Sequence, residues 1–386
     1  MTTVLGSLLI ILTLGAIVFY LACLGCTLYF FTQPDRALKS DDPPVSIMVP
    51  VCGLDAGAWE NWSSLCQQDY PNYEVLFGVV DPKDPAVVVL EKLVATFPAR
   101  SRIKVGLEPR GINHKDSTLS YLLEEAKNEV IIFVDSDIRV NKDYIRTVTA
   151  PLTDPEVGMV TCAFVGRNPE SLGGAIASYG RCVDFIPSLL LARILDGGLR
   201  CAVGATIATR KSTLADYDGL HLNRIGSDYN IGKRAAAAGY RVELSRYILN
   251  SDTGKESLRD VFQRELRWAR TIRFNRGAQY YTMIFCYGTI FSLPLPFLPG
   301  FHTQGIIICA IAWLIRYLQV LIALLLLNCP KLLRWLWIVP LRDFLSVLVW
   351  AMGAFGNSVY WRGRRLRVEG DGIISPWDRR GDEVTG

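Results

Sequence analysis

Residues 4–31 carry no charged side chain, and a run of that length crosses a bilayer as one helix, which needs about 20 apolar residues. A second strongly apolar stretch covers residues 280–359, with Arg316 and Asp343 as its conspicuous interruptions. Between the two, from Asp35 to Arg276, charged residues return at ordinary density. A chain patterned in this way reads as a soluble domain held between membrane segments. No small-residue cleavage site follows the first stretch, so it is expected to be a retained anchor and not a signal peptide. Arg36 and Lys39 follow it, whereas only the terminal amine precedes it. The positive-inside rule then puts the central domain in the cytoplasm.

The chain has 386 residues, half of them apolar, enough for two or three units of roughly 150 residues each with a sizeable core. Of the ten cysteines, Cys23, Cys26, Cys286, Cys309 and Cys329 lie in or beside the apolar stretches, and the others are scattered through the centre, in keeping with a cytoplasmic domain. The three histidines, His114, His221 and His302, form no pair at ligand spacing, so a zinc site is not expected. A nucleic-acid partner is not expected either.

The centre alternates strands and helices. Residues 45–51 (VSIMVPV) form a buried-strand run ending at Cys52, Gly53, Leu54 and Asp55; residues 57–68 suit a helix, stopped by Tyr70, Pro71 and Asn72. Residues 73–80 form the next strand, ending at Asp81, followed by a helix over 86–97, a short strand over 102–107 and a helix over 115–126. Then comes an uncharged run, VIIFV, that stops abruptly at Asp135, Ser136 and Asp137. Such alternation with short connections predicts an α/β fold with a doubly wound parallel sheet. Two strand ends therefore carry acids, Asp81 and Asp135, at the edge where open α/β sheets bind ligands.

Asp135 and Asp137 offer two hard oxygen ligands to a divalent cation, which would neutralise a nucleotide diphosphate. No Gly-rich phosphate loop follows any of these strands, so a bound diphosphate needs another counter-charge. Lys115, in GINHKD, is a second candidate phosphate contact; by itself it also reads as a solvated first-turn helix residue. Residues 204–211 (GATIATRK) form a small-residue segment that can approach a ligand closely. Asp228 falls at the start of a helix over 229–238, where it serves either as an ordinary N-cap or as a well-fixed general base.

Residues 255–276 (KESLRDVFQRELRWARTIRFNR) hold seven basic and three acidic residues. Leu258, Val261, Phe262, Leu266, Ala269 and Ile272 recur at helical spacing beside a cationic face. Directly upstream of an apolar stretch, this describes an interfacial helix lying on anionic headgroups.

Taken in order, Asp81 in VVDPKDP, Asp135 to Asp137 in FVDSDIRV, Asp228 in SDY, and Gln263, Arg264, Glu265, Leu266, Arg267 and Trp268 resemble the three aspartate motifs and the Gln/Arg-x-x-Arg-Trp motif of membrane-bound family-2-like glycosyltransferases. Within that clan, GINHK, DSDIRV, the Asp-Tyr pair and ELRWARTIR are similar to the ceramide glucosyltransferases and to bacterial relatives that glycosylate hopanoid lipids. The resemblance covers about residues 45–276. It implies a GT-A (nucleotide-diphospho-sugar transferase) fold with flanking transmembrane helices, a UDP-sugar donor and an inverting mechanism. It also implies that Asp81 contacts the uridine or ribose, that Asp135 and Asp137 hold the diphosphate through Mn2+ or Mg2+, and that Asp228 is the general base. Gln263, Arg267 and Trp268 would line the donor diphosphate and the acceptor entrance. Vertebrate members have Gly where this chain has Asp137, so the complete acid pair leans toward a bacterial-type member of the inner membrane.

The expected acceptor is a membrane lipid hydroxyl, ceramide-type first, with N-acetylglucosamine transfer to a hopanoid lipid as the alternative. A membrane-anchored nucleotidyl or phosphoryl transferase would use the same acids without a base at Asp228, and an inactive lipid-binding scaffold would need none of them. The expected division is an amino-terminal anchor (1–32), a cytoplasmic catalytic domain (33–254), an amphipathic interfacial helix (255–278), a membrane or interfacial region (279–363) and a polar tail (364–386). Three further membrane candidates lie at 280–297, 305–327 and 344–360. Three full crossings would leave Arg362, Arg364, Arg365 and Arg367 outside, so one candidate is expected to lie along the interface.

Overall fold

The structure, a computed structural model, describes residues 2–34, 41–251 and 255–377. Arg36 and Lys39 lie outside the described residues. The chain forms two compact units that are not contiguous in sequence. One comprises Pro34–Val165, Leu195–Asp252 and Leu366–Gly386; the other comprises Met1–Gln33, Gly166–Ile194 and Thr253–Arg365.

The first unit is built on one eight-stranded sheet: β1 (Val45–Val51), β2 (Tyr73–Val79), β3 (Ser101–Val105), β4 (Val130–Val134), β5 (Ile138–Arg139), β6 (Val157–Val165), β7 (Thr206–Arg210) and β8 (Arg241–Ser251), in the order β3-β2-β1-β4-β7-β6-β8-β5. The uncharged runs read from the sequence are its centre. Every residue of β4 is buried, and all of β1 except Pro50, as expected of parallel strands covered on both faces. β1 pairs in parallel with β2 and β4, and β2 with β3.

The sheet is not parallel throughout. β7 runs antiparallel to both β4 and β6, and β5 antiparallel to β8, so the expected parallel pairing holds for β3-β2-β1-β4 and for β6-β8 and the whole is mixed. The segment expected to approach a ligand is in fact β7. It lacks a long apolar run, being Thr-Ile-Ala-Thr-Arg, yet it sits in mid-sheet between β4 and β6 with all but Arg210 buried.

Helices cover the sheet close to where the sequence places them, at Ala58–Cys66, Ala86–Thr96 and His114–Glu125. The last packs so closely that a Cβ on Gly78 of β2 would lie 2.5 Å from the Thr118 methyl. Trp62, fully buried, packs its ring at 6.1 Å from Phe77 and donates from Nε1 to the Ser136 carbonyl at 3.1 Å. The core thereby holds the acid-bearing turn after β4.

Among the described residues, four helices or helical runs are long and apolar enough to cross a membrane: Thr2–Thr32, Leu172–Leu195, His302–Leu326 and Pro330–Gly353, in the second unit but for Leu195. The first and third were expected. The candidate at 344–360 is shifted toward the amino terminus, because the helix ends at Gly353 and a strand follows at Ser358–Trp361. Residues 280–297, rich in proline, fold as short pieces: 3-10 turns at Gly277–Cys286 and Leu295–Phe297 and a helix at Gly288–Ser292.

Leu172–Leu195 was not anticipated, because Arg181, Asp184 and Arg193 interrupt it. Asp184 sits in its π-helical turn, Gly180–Phe185, and those turns often mark functional positions. The carboxylate accepts from Arg316 Nη2 at 2.6 Å and Arg342 Nε at 2.8 Å. Arg316 also meets Asp343 at 2.6 Å, and Arg342 meets both oxygens of Glu265 at 2.6 Å. The two interruptions noted in the second apolar stretch, Arg316 and Asp343, are thus partners, both buried.

The Leu258–Arg276 helix starts at Ser257, whose hydroxyl accepts from the Asp260 N–H at 3.2 Å. Its buried face is Val261, Glu265 and Ala269, while Leu258 and Ile272 at its ends are exposed. Several of its cations are engaged with protein: Arg264 pairs with Glu256, and Arg270 and Arg273 reach the segment after the Val339–Gly353 helix. Arg270 donates to the Phe355 carbonyl at 3.2 Å and to Ser358, and Arg273 donates to the carbonyls of Ala354 and Gly356. These are the free carbonyls beyond the Val339–Gly353 helix, which cationic side chains commonly satisfy.

Candidate active site

The turn after β4 presents its two acids differently. Asp135 donates its N–H to the Ala205 carbonyl at 3.2 Å, and its carboxylate forms an ion pair with Lys115. Asp137 accepts a hydrogen bond from Ser251 Oγ, at the end of β8, at 2.9 Å. Ser136 between them is buried, its carbonyl held by Trp62. Burial lifts the Asp135 carboxyl above the usual carboxylate range, Lys115 opposes that, and the charges of Asp137 and Asp228 add to it.

Lys115 lies in the first turn of the His114–Glu125 helix, whose N-cap Asn113 accepts from the Asp116 N–H. Besides Asp135, its ammonium donates to the Gly204 carbonyl at 3.3 Å. Burial alone would pull its pKa down, but Asp135 and then Asp228 outweigh this and hold it above the ordinary lysine value.

Asp228 is the second residue of the Ser227–Ala237 helix. The N-cap is Gly226, at φ 61°, with no side-chain cap, so Asp228 is not the N-cap. Its carboxylate lies against Gly204: a Cβ there would sit 2.6 Å from Oδ2. The close approach read from residues 204–211 is therefore made to an aspartate of the chain itself. Lys115, Asp116, Gly204, Ser227 and Asp228 line one small cavity together with His221 and Arg234.

Asp81 is exposed at the end of β2, where Oδ1 accepts from the Lys83 N–H at 2.8 Å. Asp84, which sequence reasoning passed over, ties two loops at that edge: it accepts from the Gly53 N–H after β1 at 2.7 Å and from the Ala86 N–H at 2.9 Å. Asp116, also passed over, is buried next to Lys115. Gln263, Arg267 and Trp268 lie in the other unit, on the Leu258–Arg276 helix, where the Arg267 guanidinium sits 5.6 Å from the centre of the Trp361 ring.

The structure thus brings together Lys115, Asp135, Asp137 and Asp228 in one unit, with Asp81 at a neighbouring strand end. Among the described residues no three His, Cys, Asp or Glu side chains gather as a self-sufficient metal cage. Two carboxylates on one turn nevertheless suit Mg2+ or Mn2+, since such ions commonly take one or two protein carboxylates and fill the remaining positions with water and substrate phosphate. The crowding of Asp135 by Asp137 and Asp228 is the kind of repulsion a cation relieves.

Comparison with known proteins shows the family and the fold. The Caenorhabditis elegans ceramide glucosyltransferase 1 is 21% identical over 90% of this chain and 75% of its own length. The Caenorhabditis elegans ceramide glucosyltransferase 3 is 24% identical over 59% of this chain and 50% of its own length, so the chain spans about half of that relative. A mannosyltransferase from Pyrobaculum calidifontis, solved with GDP-Man and Mn2+, aligns with 89% of this chain and 97% of its own at a TM-score of 0.50 and 18% identity, a likeness that shows the shared GT-A fold. The sequence matches glycosyl transferase family 21 over residues 8–374, and the chain belongs to that family.

Proposed function

We propose that this protein is an inverting transferase that moves a hexose, glucose first, from a UDP-sugar to the hydroxyl of a membrane lipid, ceramide-type first. The observation that carries this reading is the division of labour in the site. A cation-neutralised pole, made of Asp135, Asp137 and Lys115, shares one small region with the carboxylate of Asp228. Inversion needs those two poles, a stabilised leaving diphosphate and a base on the opposite face of the sugar.

In the proposed step Asp228 accepts the proton of the lipid hydroxyl as its oxygen bonds to the anomeric carbon. The bond from that carbon to the diphosphate oxygen breaks, and the electron pair leaves with UDP. Lys115 donates to the departing diphosphate, exchanging part of its pairing with Asp135. Mn2+ or Mg2+ held by Asp135 and Asp137 would neutralise the diphosphate charge. Asp81 binds the uridine or ribose. Gln263, Arg267 and Trp268 contribute donor and acceptor contacts on the pattern of the family motif.

Among the described residues, four helices of spanning length and composition support a multi-pass protein, and a lipid acceptor fits such a chain. The catalytic unit is placed in the cytoplasm and the protein in a bacterial inner membrane, on the sequence grounds given above. The test is the purified chain with a lipid extract and a panel of UDP-sugars, with products identified by mass spectrometry with and without EDTA. A glycosylated lipid that appears only without EDTA supports the reading; no sugar transfer under any metal condition defeats it.

A further inference from the structure

Asp116 has no part in the reaction as written, yet among the described residues it is the most buried acid of the sheet unit. It is 2% exposed. Its Oδ2 accepts from Asn113 Nδ2 at 2.7 Å and its Oδ1 from Ser227 Oγ at 3.1 Å. Asn113, itself fully buried, also donates from Nδ2 to the Arg224 carbonyl at 2.9 Å and from its N–H to the Leu222 carbonyl at 2.8 Å. Ser227 immediately precedes Asp228.

A helix normally fixes its own start with an N-cap side chain. The Ser227–Ala237 helix cannot, because its N-cap is Gly226 in a left-handed conformation. The group that holds its first residue comes from elsewhere in the sequence, and that group is Asp116. On the far side the Asp228 carboxylate stops against Gly204. The carboxylate is therefore located between two fixed points, the Ser227 hydroxyl bond and the Gly204 backbone.

A buried carboxylate is expensive to keep, but only a group that accepts on both oxygens can take Asn113 Nδ2 and Ser227 Oγ together; an amide has one acceptor oxygen and would lose one of the two bonds. Burial pushes the Asp116 carboxyl up to about 7. Lys115, the adjacent residue, reaches Asp135, so one helical turn touches both poles of the site.

We propose that Asp116 is a positioning residue for the base, acting through Ser227 to set where the Asp228 carboxylate meets the acceptor hydroxyl. The inference rests on the reading of Asp228 as the base.

The test uses the full chain in mixed micelles, with glucose transfer from UDP-glucose to ceramide as one readout and UDP binding in MnCl2 as the other. D116N and S227A should each lower kcat by about tenfold, the size of effect expected from one lost hydrogen bond to a charged group. UDP affinity should stay within about twofold, and S227T, which keeps the hydroxyl, should restore kcat. The double variant should be no slower than the slower single, because both act through one contact. Additive losses, parallel loss of UDP affinity, or unchanged kcat in S227A would overturn the proposal. If D116N does not fold, the contrast between S227A and S227T decides alone. D228N separates the two levels. If D228N transfers normally, or the natural sequence transfers no sugar from any UDP-sugar under any metal condition, the functional reading fails and this inference with it. If D228N is inert while D116N and S227A are fully active, this inference alone fails.

Discussion

Gly204 and Asp228 occupy complementary space: a Cβ on Gly204 would lie 2.6 Å from Asp228 Oδ2 and 3.0 Å from its Cγ, closer than non-bonded atoms pack. The first prediction follows directly. Gly204→Ala should displace the carboxylate by a few tenths of an ångström, and misplacement at a reacting centre is costly. Loss of kcat by about ten- to a hundredfold is expected, with the fold unchanged by circular dichroism. Natural kcat in this variant would show that Asp228 need not sit against Gly204.

Asp137 should be tied to the cation and not to catalysis by proton transfer. Asp137→Ala removes one of two hard oxygens and leaves Ser251 Oγ without its acceptor. Affinity for UDP should fall at least about tenfold in MnCl2, since even outer-shell metal partners are worth that much, and should change little in EDTA. Isothermal titration in both conditions checks this. An equal loss in the two would assign Asp137 to structure.

Arg316 and Asp343 should be a test of buried charge in the second unit. Removing one partner of a buried pair strands the other at a cost of about 3–5 kcal/mol, whereas replacing both can be nearly neutral. Asp343→Asn should therefore lower the midpoint of thermal unfolding in detergent. The double replacement Arg316→Met with Asp343→Leu should lower it less, although Asp184 then keeps only Arg342.

Asp116 makes a prediction for pH. Its carboxyl is raised by burial to about 7, so between the ordinary carboxylate range and that value the folded state binds the proton more tightly than the unfolded one. It contributes nothing at low pH and destabilises progressively as pH rises through that window. The thermal midpoint of D116N relative to the natural protein should therefore rise between about pH 4 and pH 7 and level off above. A difference that is flat with pH would contradict the raised value.

Much of the sheet was legible because its central strands, β1 and β4, are uncharged runs buried on both faces, and a sequence records that burial directly. β7 was not, since Thr206, Ala208 and Thr209 look like loop residues until β4 and β6 are in place on either side. Leu172–Leu195 was hidden by its charges, and only the fold supplies Arg316 and Arg342 to meet Asp184. In the site, Asp135, Asp137 and Asp228 stood out through strand ends, a helix start and the family motifs. Asp116 and Asp84 did not, because each matters through a partner distant in sequence, and Gly204 was legible only as a close approach, with Asp228 as its partner supplied by the fold. Ser227, for example, is 111 positions from Asp116.

The central claim is that Asp228 acts on the acceptor while the Asp135 turn acts on the donor. The most direct measurement compares Asp228→Asn with the natural sequence in two assays: UDP binding in MnCl2 and the rate of sugar transfer to lipid. A general base contributes about 10²–10⁴-fold, so the variant should bind UDP with natural affinity and transfer sugar slower by that factor. Transfer at the natural rate, or loss of UDP binding equal to the loss of transfer, would contradict it.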